Sequence, residues 1–174
     1  MGADNISPNV SIISATVRDD TAETGHPAEH EEPVRPACLL LLPTGRDAKL
    51  VSDACRGQGL RTRKANSPEE LFDAIRHECG PLLLTDDALD VDAWQKLAEC
   101  LAAEPDWSDI PVIILSRPGT LPAAAQAVTH RRSTTVLNRP TDKATLMSIL
   151  AADVESRRRQ YQVKDLLADL RRTN

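Results

Sequence analysis

The chain lacks most of the features that announce a function directly. Aromatic residues make up 2% of its 174 positions, and none is interleaved with the basic clusters, so no nucleic-acid-stacking surface is legible. A net charge of -5 and a pI near 5.4 leave no broad positive footprint for phosphates. The four cysteines, Cys38, Cys55, Cys79 and Cys100, form no C-x-x-C pair. Lying mostly within or beside apolar periodic segments, they are expected to be reduced small hydrophobes. No apolar stretch approaches the roughly 18 residues of a membrane span, and no basic segment followed by an apolar core opens the chain. Ile6 stands where a myristoylation signal needs Ser or Thr. A soluble, cytoplasmic protein is expected, with one domain plus tails, because the length is too small for two ordinary domains.

What the chain does have is Pro81-Leu82-Leu83-Leu84-Thr85-Asp86-Asp87, a short apolar run that ends in two carboxylates. Such runs suit a strand buried on both faces, and α/β folds carry their chemistry at the carboxyl ends of these strands. As plain structure, the two acids would only cap the following turn.

Strand and helix signals alternate five times around this run. Cys38-Leu39-Leu40-Leu41-Leu42 reads as a strand, after which Thr44, with Asp47 three residues on, opens a helix ended by Gly57 and Gly59. Residues 60–65 read as a more polar edge strand. Ser67-Pro68-Glu69-Glu70 combines a Ser cap, Pro at the first helical position and a Glu that closes the capping box. Beyond the central strand, Asp90 caps a helix bearing Trp94, Leu97, Ala98 and Leu101. The segment from Ile110 to Ser116 is rich in β-branched residues, 121–129 reads as a short Ala-rich helix, and Thr134-Thr135-Val136-Leu137-Asn138 as a fifth strand stopped by Arg139-Pro140. Residues 141–172 contain no Gly or Pro and read as one long helix.

This alternation predicts a doubly wound α/β domain over 36–155, with a parallel sheet, right-handed crossovers and helices on both faces. Residues 1–35 carry seven acids against Arg18 and Arg35, with one weak apolar patch at 10–17. They are expected to form a disordered acidic tail. His26 and His30, beside Glu29, Glu31 and Glu32, could hold a metal loosely, but the tail reading is preferred.

Five β/α units with an acid after the third strand, a hydroxyl after the fourth and a basic-Pro pair after the fifth resemble the receiver domain of two-component response regulators. The resemblance covers 36–155 and implies a flavodoxin-like (βα)5 sheet of order 2-1-3-4-5. It implies that Asp86 stands where the family accepts phosphate from a histidine kinase, or Thr85 on a one-residue shift. Ser116 matches the family's hydroxyl, and Arg139 before Pro140 stands where the family has Lys. Where two Mg²⁺-binding acids should follow the first strand, this chain has Pro43 and Thr44.

Mg²⁺ wants hard oxygen ligands, and phosphoryl transfer relies on it to neutralise developing charge. Asp86, Asp87 and Asp47 remain as weak metal candidates, with Asp90 a further acid nearby. Arg139 keeps the positive charge as a planar fork rather than a point ammonium, and could pair with Asp86 permanently. The expectation is therefore a pseudo-receiver: no enzyme, no catalytic residue, no cofactor, with Mg²⁺ entering only if the receiver is active. A receiver phosphorylated on Asp86 and a ligand- or protein-binding α/β module are the alternatives.

In the last helix, Ala144, Leu146, Ile149, Leu150 and Val154 fit packing on the sheet. Arg157-Arg158-Arg159 reads as a solvated linker face, and His130-Arg131-Arg132 as surface. Over 156–174, Tyr161, Val163, Leu166, Leu167 and Leu170 form a second stripe that needs a partner helix. Its seam is shorter than the about three to four heptads of a convincing coiled coil. It resembles the signalling helix that joins receiver-like modules to histidine kinases. That likeness implies a homodimer whose partners are kinase domains, in the same polypeptide, or other two-component proteins. Nucleic acid is not an expected partner.

Overall fold

The computed structural model describes residues 12–14 and 36–174. Its strands are β1 (Ile13–Ser14), β2 (Cys38–Leu41), β3 (Thr62–Lys64), β4 (Leu82–Thr85), β5 (Val112–Ser116), β6 (Thr134–Asn138) and β7 (Thr141–Asp142). Between them lie α1 (Gly45–Gly57), α2 (Pro68–Arg76), α3 (Val91–Ala102), a 3₁₀ turn (Ala123–Ala125) leading into the four-residue α4 (Gln126–Thr129), and α5 (Lys143–Thr173). Five strands form one parallel sheet in the order β3-β2-β4-β5-β6. Counted from β2, this is the predicted 2-1-3-4-5.

The inner strands β2, β4 and β5 are buried along their whole length, as continuous aliphatic runs require in a sheet covered on both faces. Successive residues point to opposite faces. Leu82, Leu84 and Ile114 belong to a core with Phe72, Trp94 and Leu97 under α2 and α3. Leu40, Leu83, Ile113 and Leu115 belong to a second core with Val51, Leu146 and Leu150 under α1 and α5. Full burial of each large aliphatic side chain contributes about 1.5–3 kcal/mol. Gly80 fits a close crossing: a Cβ there would lie 2.4 Å from the Ala37 carbonyl oxygen, where the chain entering β4 passes the chain entering β2.

The helices start where their caps are. Thr44, Ser67 and Asp90 accept the amides of Asp47, Glu70 and Ala93, and Asp142 that of Thr145. The predicted helix over 121–129 is only half formed. Pro122 heads it without a side-chain cap, and the chain makes a 3₁₀ turn before α4.

Two further expectations need correction. Ile12 and Ile13, placed in the disordered tail, are 1% and 2% exposed, and β1 pairs in parallel with β7. The burial of these two apolar side chains makes the pairing favourable. The remainder of 1–35, including His26 and His30, lies outside the described residues. The second half of α5 also does not leave the body at residue 156, because its side chains stay anchored as far as Lys164. No helix among the described residues is long and apolar enough to cross a membrane.

Candidate functional site

Sheet register brings the site together. Thr85 lies opposite Leu115 and Ser116 opposite Asn138, so Asp86, Ser116 and Arg139 emerge side by side at the carboxyl edge. The ladder runs one bond further on each side, from the Asp86 amide to Leu115 at 3.0 Å and from the Arg139 amide to Ser116 at 2.9 Å. Asp86, not Thr85, is the residue at the junction.

Asp86 is 3% exposed, and both its oxygens are engaged. Oδ1 accepts Arg139 Nη2 at 2.6 Å. Oδ2 accepts the Ser116 hydroxyl at 3.1 Å, the Thr120 hydroxyl and, at 3.4 Å, the Arg117 amide. Burial alone would raise the Asp86 pKa. The Thr120 hydroxyl, the Arg139 guanidinium, the Ser116 hydroxyl and the Arg117 amide outweigh it and hold the carboxyl below its ordinary value. Arg139 is nearly buried and also lies 3.7 Å from the half-exposed Asp87. Its Nε–H, like the Thr85 hydroxyl, has no hydrogen-bond partner.

Thr120 was not singled out from the sequence, yet its signal is there. Arg117-Pro118-Gly119-Thr120 is a tight turn closed by the Thr120 amide on the Arg117 carbonyl at 3.1 Å. Gly119 sits at φ +78°, the conformation that Pro-Gly favours in a type II turn. The turn folds Thr120 back over Asp86.

The metal candidates do not converge. Asp47 accepts the Thr44 hydroxyl at 2.8 Å in the first turn of α1, and Asp87 is exposed. Among the described residues no group of three or more His, Cys, Asp or Glu side chains could hold a metal. Oδ1 of Asp86 faces a guanidinium, Oδ2 faces two hydroxyls, and the end of β2 offers Pro43 and Thr44. This arrangement does not fit Mg²⁺, which requires several oxygen ligands at once.

A second cluster lies at the opposite end of the sheet. Arg157, expected on a solvated face, is 1% exposed. It donates to the Cys79 carbonyl at 2.9 Å, the Ser108 hydroxyl and Gln160 Oε1 at 2.7 Å each, and the Tyr161 hydroxyl at 3.1 Å. Its guanidinium stands 4.6 Å from the Tyr161 ring centre and 5.6 Å from that of Trp107. Tyr161, assigned to the free stripe, instead hydrogen-bonds both the amide and the carbonyl of Cys79. Lys164 pairs with Glu78 at 2.9 Å. Arg131 is likewise engaged, with Asp109 at 2.9 Å and the Ile110 carbonyl. Val163, Leu166, Leu167 and Leu170 remain exposed.

No protein-family model and no curated protein sequence matches the chain. Solved structures do. NtrX from Brucella abortus in complex with ADP aligns with a TM-score of 0.54 at 22% identity over 75% of this chain, which spans 29% of the NtrX chain, under a third of its length. A response regulator receiver protein from Burkholderia phymatum gives a TM-score of 0.54 at 13% identity, covering 69% of this chain and 95% of its own. The receiver domain of a sensor histidine kinase from Pseudomonas aeruginosa PAO1, with a magnesium ion coordinated in its active-site cleft, gives 0.53 at 17% identity, covering 70% and 99%. At these identities the likeness is one of fold. The chain has the receiver-type five-stranded α/β architecture.

Proposed function

We propose that this chain is a pseudo-receiver, a non-catalytic regulatory module of two-component signalling in which Arg139 occupies the acid that receivers phosphorylate. The observation that carries this reading is the 2.6 Å contact between Arg139 and Asp86, made while the other oxygen of Asp86 is taken by two hydroxyls. An attacking carboxylate needs a free oxygen and a cation able to follow charge onto the phosphoryl group. Here the cation is spent on the carboxylate, and Pro43 and Thr44 replace the acids that would hold a metal. The module sits in the cytoplasm, and its partners are histidine kinase domains or other two-component proteins. It dimerises through Val163, Leu166, Leu167 and Leu170, with Tyr161 reserved for the body.

One observation favours a phosphorylatable receiver. Asp86 is held ionised, as a nucleophile must be, and the unclaimed Arg139 Nε–H is a donor that an incoming oxyanion could take. Titrating the ¹⁵N-labelled chain with beryllofluoride and Mg²⁺ separates the two. The pseudo-receiver shows no saturable shifts at Asp86, Ser116 or Arg139. Saturable shifts that disappear in Asp86→Asn establish the phosphorylatable receiver.

A further inference from the structure

Residues 12–14 are not needed to complete the five-stranded sheet, yet they are seated in its core. Ile12 and Ile13 share one apolar cluster with Leu42, Val51, Leu115 and Leu146. The Thr141 amide donates to the Ile12 carbonyl at 3.1 Å, and Ile13 and Ser14 pair with Thr141 and Asp142. A two-residue strand does not hold itself in place; the two buried isoleucines keep it there.

What β1 grips is the connection that carries Arg139. From residue 139 to residue 142 the chain is tied at its start to β5, through the Arg139 amide on Ser116, and at its end to β1, through the Thr141 amide on Ile12. Asp142 then caps α5. The guanidinium that answers Asp86 therefore sits on a short segment suspended between the sheet and the N-terminal residues. A small cavity of about 200 Å³ lined by Ile13, Leu50, Asp53, Ala54 and Lys143 runs along the rim of the seat.

We infer that residues 12–14 act as an intramolecular strap that keeps Arg139 on Asp86. Seated, the strap fixes the 139–142 connection from its far side. Unseated, the connection loses its second anchor and the ion pair opens. The regulatory meaning rests on the pseudo-receiver reading, but the coupling itself does not involve phosphate.

The test uses the whole 174-residue chain carrying Ile12→Asp and Ile13→Asp together, which places two charges in the apolar seat. Two signals are followed: the ¹³C titration of the Asp86 carboxyl and the hydrogen exchange of the Arg139 guanidinium. With the strap released, the Asp86 pKa moves up toward the ordinary 3.8, and Arg139 exchange accelerates about tenfold or more. A synthetic peptide of residues 10–17, added in excess, reverses both. If the charged variant fails to fold, the Ile12→Ala, Ile13→Ala chain decides, with smaller changes in the same direction. A folded variant of either kind whose Asp86 titration and Arg139 exchange match the parent overturns the strap. Beryllofluoride binding by the parent chain would overturn the pseudo-receiver and leave this coupling standing.

Discussion

At the carboxyl end of the sheet a buried carboxylate meets a buried guanidinium at 2.6 Å. At the amino end Arg157 is equally buried but is held by a carbonyl, two hydroxyls, an amide and two aromatic faces, and it reaches Glu104 only through the Ser108 hydroxyl, which donates to that carboxylate at 2.7 Å. The difference lies in what a ligand can exchange. An ion pair can be opened by any competing anion or cation that offers equal compensation. A guanidinium whose donors meet fixed backbone and side-chain dipoles has no single competitor, and opening it exposes several buried groups at once. The proposed switch therefore belongs at the carboxyl end, while the amino end acts as a joint that holds α5 against the body.

The largest effect is expected at the joint. Arg157→Ala removes a buried, stacked side chain and orphans its acceptors, costing about 4 kcal/mol in urea unfolding. Arg157→Lys should recover less than half, because an ammonium on its flexible stem cannot reproduce the fork. A near-neutral Arg157→Ala would remove the distinction between the two ends. Arg139→Ala should cost about 3 kcal/mol, since it leaves Asp86 buried with hydroxyl and amide donors only. Combining Arg139→Gln with Asp86→Asn should restore most of that loss, as expected for a pair and not for the joint.

The pH dependence sharpens the contrast. Asp86 has its folded pKa below the ordinary 3.8, so its contribution is complete above that value and is lost as pH falls through the folded pKa. Asp86→Asn should flatten this acid limb, and Arg139→Ala should move it to higher pH. Asp153, on α5 between the two clusters, is a carboxyl that burial pushes up to about 6. Its sign is opposite: ionising it in the fold is a cost that appears as pH rises from 3.8 through about 6. Asp153→Asn should stabilise the chain by about 1 kcal/mol above that range, allowing for partial solvent screening, and should change little below it. Thermal melts across the pH range check both signs.

The smallest effect on folding is expected on the exposed stripe. Leu166 and Leu170 are 64% and 61% exposed, so Leu166→Asp with Leu170→Asp should shift the stability of the isolated monomer by less than about 0.5 kcal/mol, and should leave a monomer in light scattering where the parent forms the proposed dimer. Cutting the chain at Arg157 would not test this, because it removes the joint as well.

The fold was legible because each local signal agreed with the next. The caps at Thr44, Ser67 and Asp90 and the aliphatic runs of β2, β4 and β5 have only one periodicity each, and Asp86, Ser116 and Arg139 follow from strand ends in register. What escaped depended on long-range contacts. Nothing local marks Arg157 as buried within a basic triplet, because its partners Cys79 and Ser108 are 78 and 49 residues away. Ile12 and Ile13 looked too few to overcome the entropy of an acidic segment, and only the seat between α1 and α5 makes their burial favourable. Thr120 was hidden for a different reason, since its hydroxyl gains a role only when the Pro118-Gly119 turn is recognised as a device for reversing the chain.

On the proposed reading, Arg139 pre-empts the acceptor position of a receiver-type site. Incubation of the intact chain with acetyl phosphate and Mg²⁺, read as whole-protein mass, tests it most directly. With Arg139 on Asp86, the mass stays that of the unmodified chain. Stoichiometric addition of one phosphoryl group, absent in Asp86→Asn, would contradict it.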